Sequence, residues 1–299
     1  MDGIGKLGLV GITKSNYDSV HNQIKLAIER GGGLDLKNRD RVLLKINLCD
    51  FRLPETGAVT HPVFLDAMLS YLRSNFQGIE IFVVESDASS ARPDLLIKWL
   101  GFENVFTKNR AKYINLSKVE TFRKHISGRN FQEIDIPTIF DDSAFFISMA
   151  KLKTAMLTKV TCCLKNQFGC IPYPKKIKFH SNLDDVIVDA NLAMKPDFCI
   201  VDGIVGMGGT KGPNDGVPIN YGAIISGKDP VAVDSVCAKI LGFNPFFVGH
   251  IRKSQASSVG KMSYELAGES LSQIAKNSEY SSTYARILRF TMGLKNSVG

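Results

Sequence analysis

The chain lacks the marks of several large protein classes. It holds one tryptophan, and its six cysteines (Cys49, Cys162, Cys163, Cys170, Cys199 and Cys237) form no C-x-x-C pair. Zinc sites and iron–sulfur cubanes ordinarily start from that spacing, so cluster binding by this chain alone is not expected. Cys199 and Cys237 lie in apolar runs and read as buried thiols. No apolar run approaches the ~18 residues of a membrane span. Met1 to Lys6 show neither the charged n-region nor the apolar h-region of a signal peptide. The expected location is therefore cytoplasmic, a reducing compartment. No RNP, zinc-finger or basic-region pattern points to a specific nucleic-acid partner.

What is present suits a folded α/β protein. The 299 residues are 44% apolar and 22% charged, which excludes wholesale disorder and a disulfide scaffold. Net charge is +8, from 37 Lys and Arg against 29 Asp and Glu. That balance favours anionic partners, or else is a solvated basic surface. Strand and helix signals alternate: Leu7 to Ile12, a helix over Asn16 to Arg30 stopped by three glycines, a strand over Arg41 to Asn47, a helix from Pro62, a strand over Glu80 to Ser86, and a helix over Pro93 to Leu100. Ala111 to Pro137 reads as a small antiparallel excursion. Ala144 to Met149, Phe198 to Val205 and Ala223 to Ser226 are strands, with helices over Leu183 to Met194 and Asp229 to Leu241. The expected fold is α/β, a mostly parallel central sheet flanked by helices. We read 1–253 as one domain that can divide into lobes 1–110 and 140–253 with a cleft. Residues 254–299 read as a C-terminal helical extension, with an amphipathic helix over Tyr280 to Lys295.

Ligands in such sheets bind beyond the carboxyl ends of strands, so polar residues there are the candidates. Lys45 and Asn47 share one strand face, and a lysine turned inward needs an anion or a structural carboxylate. In Gly57 to Pro62, Thr60 is placed to cap the helix begun by Pro62, leaving His61 at its positive end as a neutral imidazole. Glu85 and Asp87 close a strand and can handle protons or a cation; a cap is the plainer role for Asp87. Lys151 to Thr154, then Lys159, Thr161 and Lys165-Asn166, form a dense cationic and hydroxyl stretch. If Thr158 to Gln167 is helical, Thr158, Cys162 and Lys165 share a face. Gly203 to Gly216 holds six glycines in fourteen positions; its amides are a weak candidate for an anion nest, though no Walker A or G-x-G-x-x-G frame fits within it. Asp202 precedes it at a strand end. Asp229-Pro230 reads as N-cap plus first turn.

Taken in order, these segments resemble the domain-of-unknown-function 362 family. The matching residues are K-x-N-L at Lys45 to Leu48, T-H-P at Thr60 to Pro62, Glu85, K-L-K-T at Lys151 to Thr154, and the Val160 to Gly169 run. They continue with His180, P-D-x-x-I-V-D-G at Pro196 to Gly203, Gly212-Pro213, and D-P-V-A-x-D at Asp229 to Asp234. The resemblance implies an α/β domain over about Leu7 to His250 and assigns no function. The family usually reads K-T-H where this sequence has Ala155, so a histidine-dependent activity does not carry over to that position. Some relatives carry a ferredoxin-like module, whose cysteines are missing here. The N-terminal plan also looks like the lactate racemase superfamily, which uses a nickel-pincer nucleotide, a likeness of plan that transfers no function.

The expected function is binding or transformation of a small carboxylate or phosphate in a cleft at the strand ends. Lys45, Asn47, Lys153, Lys165, Asn166 and Asp202 would hold the ligand, and His61 and Glu85 would move protons. One alternative is a metal or redox accessory protein using His61, Cys162, Cys163, Cys170 or His180. The other is a nucleic-acid or protein-binding module using the basic tail. No cofactor is assigned, and the oligomeric state is open.

Overall fold

Runs of apolar and β-branched residues build the sheet from its middle outward. The computed structural model describes residues 7–89, 91–209 and 216–275. The N-terminal part contains β1 (Gly8–Lys14), α1 (Val20–Arg30), β2 (Arg41–Lys45), α2 (Pro62–Asn75), β3 (Glu80–Glu85), α3 (Pro93–Trp99), α4 (Phe102–Lys108) and β4 (Lys112–Asn115). The excursion is an antiparallel pair, β5 (Thr121–His125) and β6 (Glu133–Pro137). There follow β7 (Ala144–Ala155), β8 (Lys159–Thr161), α5 (Cys163–Asn166), α6 (Leu183–Ala193), β9 (Phe198–Gly208), β10 (Val217–Gly227), α7 (Pro230–Ile240), α8 (Gly249–Ala256), β11 (Tyr264–Gly268) and α9 (Leu271–Ala275).

The central sheet runs β11-β1-β10-β9-β7-β2-β3-β4, with β8 folded back on β7. From β9 to β4 every neighbour is parallel, while β10 is antiparallel to both β1 and β9. Strands from 7–110 and from 140–253 pair directly, β1 with β10 and β2 with β7. Side chains alternate across the sheet. Val42, Leu44, Val83, Ile147 and Ile200 pack under α1 and α2. Val10, Ala150, Val201 and Ile225 pack under α7 and α8 on the other face. Leu43, Val84 and Phe146 meet α6 and the β5–β6 pair.

Local chemistry explains most boundaries. In α1, Val20, Ile24, Ala27 and Ile28 are buried at helical spacing. A Cβ at Gly31, where the helix stops, would lie 2.6 Å from Ser226 Oγ. Asp229 caps α7, accepting from the amides of Val231 (2.8 Å) and Ala232 (3.1 Å). Three expectations change. β7 continues six residues past Met149, because Lys151 and Lys153 find buried acceptors. The segment from Gly203 to Gly208 is not a loop; its register with β10 uses its backbone in the sheet, and a Cβ at Gly206 would meet the Tyr221 ring at 2.8 Å. Residues 158–167 do not form one helix: Lys159, at φ +65°, turns the chain into β8 before α5 begins. Thr158 and Cys162 therefore do not share a helix face with Lys165.

The boundary at 253/254 falls inside α8, and β11 closes the sheet edge in parallel with β1. The expected helix over 280–295 and residues 210–215 of the glycine-rich segment lie outside the described residues. Among the described residues no helix is long and apolar enough to cross a membrane.

Asp189 of α6, fully buried, accepts 2.7 Å hydrogen bonds from the amides of Arg129, Asn130 and Phe131. It thereby ties the β5–β6 turn to the main body. Asp189→Ala is expected to cost about 3 kcal/mol, since hydrogen bonds to charged groups are the stronger kind and the stranded amides lose their acceptor. Denaturant titration with an unchanged slope checks this; Asp189→Asn should lose less.

Candidate functional site

The parallel strands β2, β3 and β7 end along one edge, with Lys45 in register with Val84 and Ser148. Lys45 is 1% exposed and its Nζ lies 2.7 Å from Glu85 Oε1. Nζ also donates to the Ile46 carbonyl (2.7 Å) and Asn166 Oδ1 (3.3 Å). Glu85 accepts in addition from the amides of Leu48 (2.8 Å) and Ser86 (3.0 Å). The pair is thus closed on both sides, as a buried ion pair must be to recover its desolvation cost. Gly169 covers it: a Cβ there would stand 2.6 Å from Lys45 Nζ and 2.9 Å from Glu85 Oε1.

Asn166, on α5, donates to the Lys45 carbonyl and to Ser148 Oγ, both at 3.1 Å. α5 has only four residues and is held from α7, where buried Asp234 accepts from the amides of Cys163 (2.8 Å) and Leu164 (3.0 Å). Burial pushes the Asp234 carboxyl up to about 7. Lys153 donates to Asn47 Oδ1 (2.8 Å), the Ala58 carbonyl (2.7 Å) and Cys49 Sγ (3.3 Å). Lys176 donates to Ser86 Oγ and the Asp87 carbonyl. Among the described residues Lys165 has a single neutral acceptor, Thr158 Oγ1 at 3.0 Å.

These groups surround a cavity of about 370 Å³. Lys45, Asn47, Glu85, Lys153, Lys165, Asn166 and Lys176 line it, with Thr161 and His180. Met156, Leu157, Phe168 and Leu183 supply apolar wall. Burial lowers Lys165 to about 8, with neighbouring Lys153 adding to the effect. Burial likewise lowers Lys176 to about 8, and Lys45 opposes protonation further while Glu85 favours it. Burial, then the charge of Lys165, lowers His180. A larger open depression of about 910 Å³ lies along β10 near Lys14. Among the described residues Lys14 is its one charged lining residue, so they offer little chemistry there.

Six of the eight site candidates meet at the cavity. His61 and Asp202 do not line it. Asp202 pairs with Lys151 (2.8 Å) and accepts from Tyr17 Oη (3.1 Å), and His61 stacks on the Tyr17 ring at 3.7 Å. Strand alternation accounts for Lys45 and Asp202 but not for Glu85 and Lys153, which are in phase with Val83 and Met149 and reach the cavity near the strand ends. Lys45 and Ser148 lie on the Leu43 and Phe146 face, whereas Lys151 and Asp202 follow Met149 and Ile200 onto the α1–α2 face. The capping expectation is corrected as well. His61 is the N-cap of α2, its Nδ1 accepting from the Val63 amide at 3.2 Å, while Thr60 Oγ1 accepts from the Asn47 amide at 2.8 Å. That bond places the neutral ring's proton on Nε2, as inferred from the network. Burial lowers the His61 pKa, which Asp202 partly opposes. Asp87 is no cap: it holds Arg92 (2.7 Å) and Asn115 (3.0 Å).

Sequence reasoning missed Lys176 and Ser86 as cavity residues and Tyr17 as the partner of His61. Nothing in Lys175-Lys176-Ile177-Lys178 marks which lysine turns inward. Cys162, Cys163, Cys170, Cys199 and Cys237 are buried free thiols. Among the described residues no group of three or more His, Cys, Asp or Glu is placed to hold a metal ion.

A family profile described as "Domain of unknown function (DUF362)" matches residues 42–239, which span β2 to the end of α7. A thylakoid-associated protein of Synechocystis sp. is 27% identical over 232 residues, 74% of this chain and 70% of that protein. Among solved structures, the lactate racemase apoprotein from Thermoanaerobacterium thermosaccharolyticum aligns at 10% identity with a TM-score of 0.47. That alignment covers 79% of this chain, which spans 57% of the racemase's length.

Removing one partner of the Lys45–Glu85 pair strands a buried charge. Glu85→Ala is expected to destabilise the fold by about 3–5 kcal/mol, and Lys45→Met with Glu85→Leu together should recover most of that loss. Thermal and denaturant unfolding of the two variants checks the coupling.

Proposed function

We propose that this chain, which belongs to the family of the domain of unknown function DUF362, binds a small anionic ligand, a carboxylate or phosphate, in the cavity at the ends of β2, β3 and β7. The observation that carries this reading is the charge balance of the wall. Among the described residues four lysines line the cavity against one carboxylate, Glu85, and that carboxylate is already engaged by Lys45. Buried ammonium groups favour an anion among them, because desolvated charge without a counter-ion is costly. The volume sits at the small end of ligand cavities, roughly 300–1,000 Å³.

Within this reading the residues divide their work. Lys45, held by Glu85, and Lys153, held by Asn47, supply fixed positive charge. Lys165 and Lys176 carry protons that leave near pH 8, so their charge at the site is adjustable. Asn166 orients the wall. Glu85 serves as a counter-ion, since both of its oxygens already accept, and His180 is the imidazole within reach of the ligand. His61 and Asp202 brace the opposite face. A cytoplasmic location fits the five buried free thiols.

Calorimetric titration with inorganic phosphate and with small carboxylates should show saturable binding. Lys165→Met is expected to weaken it about 10- to 100-fold, one charge-assisted hydrogen bond's worth, with the thermal midpoint nearly unchanged. An equal loss of stability would show Lys165 to be structural. His61→Phe keeps an aromatic ring against Tyr17 and should leave the affinity within about twofold, below the ~1.4 kcal/mol that a tenfold change represents.

A further inference from the structure

Of the four lysines that line the cavity, Lys165 has the fewest acceptors among the described residues. Lys45 has Glu85, and Lys153 has an amide oxygen, a carbonyl and a thiol. Lys176 has a hydroxyl and a carbonyl. Lys165 has Thr158 Oγ1 alone. Beside it the wall carries a second loose end. Thr161 is 4% exposed, lines the cavity, and its Oγ1 has no hydrogen-bond partner among the described residues. An amine short of acceptors and a buried hydroxyl short of partners thus face the same space. A carboxylate alone would engage the ammonium groups, Lys165 among them, and leave the Thr161 hydroxyl without a partner; a carbonyl beside the carboxylate offers that hydroxyl an acceptor.

We propose that Lys165 is a nucleophile, that the ligand is an oxo acid (a small carboxylate carrying a ketone or aldehyde), and that the two join as an imine. The Lys165 nitrogen attacks the carbonyl carbon, and the carbonyl oxygen takes up a proton to give a carbinolamine. That C–O bond then breaks, the hydroxyl leaving as water with a proton supplied by solvent water, and a protonated C=N bond remains. No oxidant or reductant is consumed. The protonated imine withdraws electrons from the adjacent carbon, the use to which covalent lysine catalysis puts it. Thr161 Oγ1 is placed as donor to the carbonyl oxygen as its charge develops. The inference rests on the anion-binding reading and adds the covalent step.

The surroundings favour the neutral amine that this attack needs. Burial and the Lys153 ammonium hold Lys165 at about 8, against the opposing pull of Cys49 and Asp184; His180 also faces it. Proximity to a second cation is one recognised way to activate a lysine. At pH 7 a lysine of pKa about 8 has roughly a hundredfold more neutral amine than an ordinary one near 10.4.

The full chain is incubated with pyruvate and sodium cyanoborohydride, then taken to intact-mass and peptide mass spectrometry. One reduced adduct at Lys165 is expected, formed about a hundredfold faster than at any surface lysine and rising with pH to a plateau above about 8. Lys165→Arg keeps the charge but lacks the nucleophile. It should form no adduct above the surface-lysine background; lactate, the hydroxy analogue, reports binding to the unaltered chain by calorimetry. If lactate and pyruvate bind saturably but Lys165 is labelled no faster than surface lysines, the imine proposal fails and anion binding stands. If neither binds and no adduct forms, both fail. Labelling of Lys153 or Lys176 in place of Lys165 also overturns the assignment.

Discussion

A lysine buried at the end of a parallel strand sets the terms for everything around it. Lys45 cannot reach water, so it needs an anion and further acceptors, and it takes them from three separate parts of the chain. Glu85 comes from the next strand, Asn166 from α5, and the covering backbone from Gly169. Satisfying one ammonium group thus draws β2, β3 and the 163–170 segment into one body. The cavity is the space left over once that requirement is met. Its remaining lysines are the ones for which the fold supplies dipoles rather than charges.

Buried aspartates do the corresponding work for the backbone. Asp234 holds α5 from α7, Asp189 holds the β5–β6 turn from α6, and Asp229 caps α7. Each carboxylate takes up amides that no sheet or helix ladder satisfies. The family's D-P-V-A-x-D run is then intelligible as two anchors, one for its own helix and one for the short helix that presents Lys165 and Asn166. A four-residue helix has little stability of its own, so its register comes from Asp234.

A period of two alone would put Lys151 and Lys153 on one face of the sheet. Lys151 and Lys153 lie on the same strand, yet Lys151 is closed by Asp202 and Tyr17 while Lys153 reaches Asn47 and Ala58. The register shift between β7 and β9 falls between those two lysines. It frees Lys153 to lean over the sheet edge, and so places it with Lys165 rather than with Lys151.

The amino-acid sequence alone determined the alternation of strands and helices, the parallel character of the sheet, the cap at Asp229 and the concentration of lysines at strand ends. These are local matters: periodicity, capping chemistry and the sidedness of a strand act over a few residues. Gathering Lys45, Glu85, Lys153, Lys165 and Asn166 at one edge was legible because parallel strands end together. What the tertiary structure decided was which of these residues share a space. His61 and Asp202 went to the opposite face, Lys176 turned inward, and the glycines of Gly203 to Gly208 became strand. Each of those outcomes depends on pairing with residues far away in the chain, His61 against Tyr17, Lys176 against Ser86, Gly206 against Tyr221. No local pattern encodes a partner whose position is set by the register of the whole sheet.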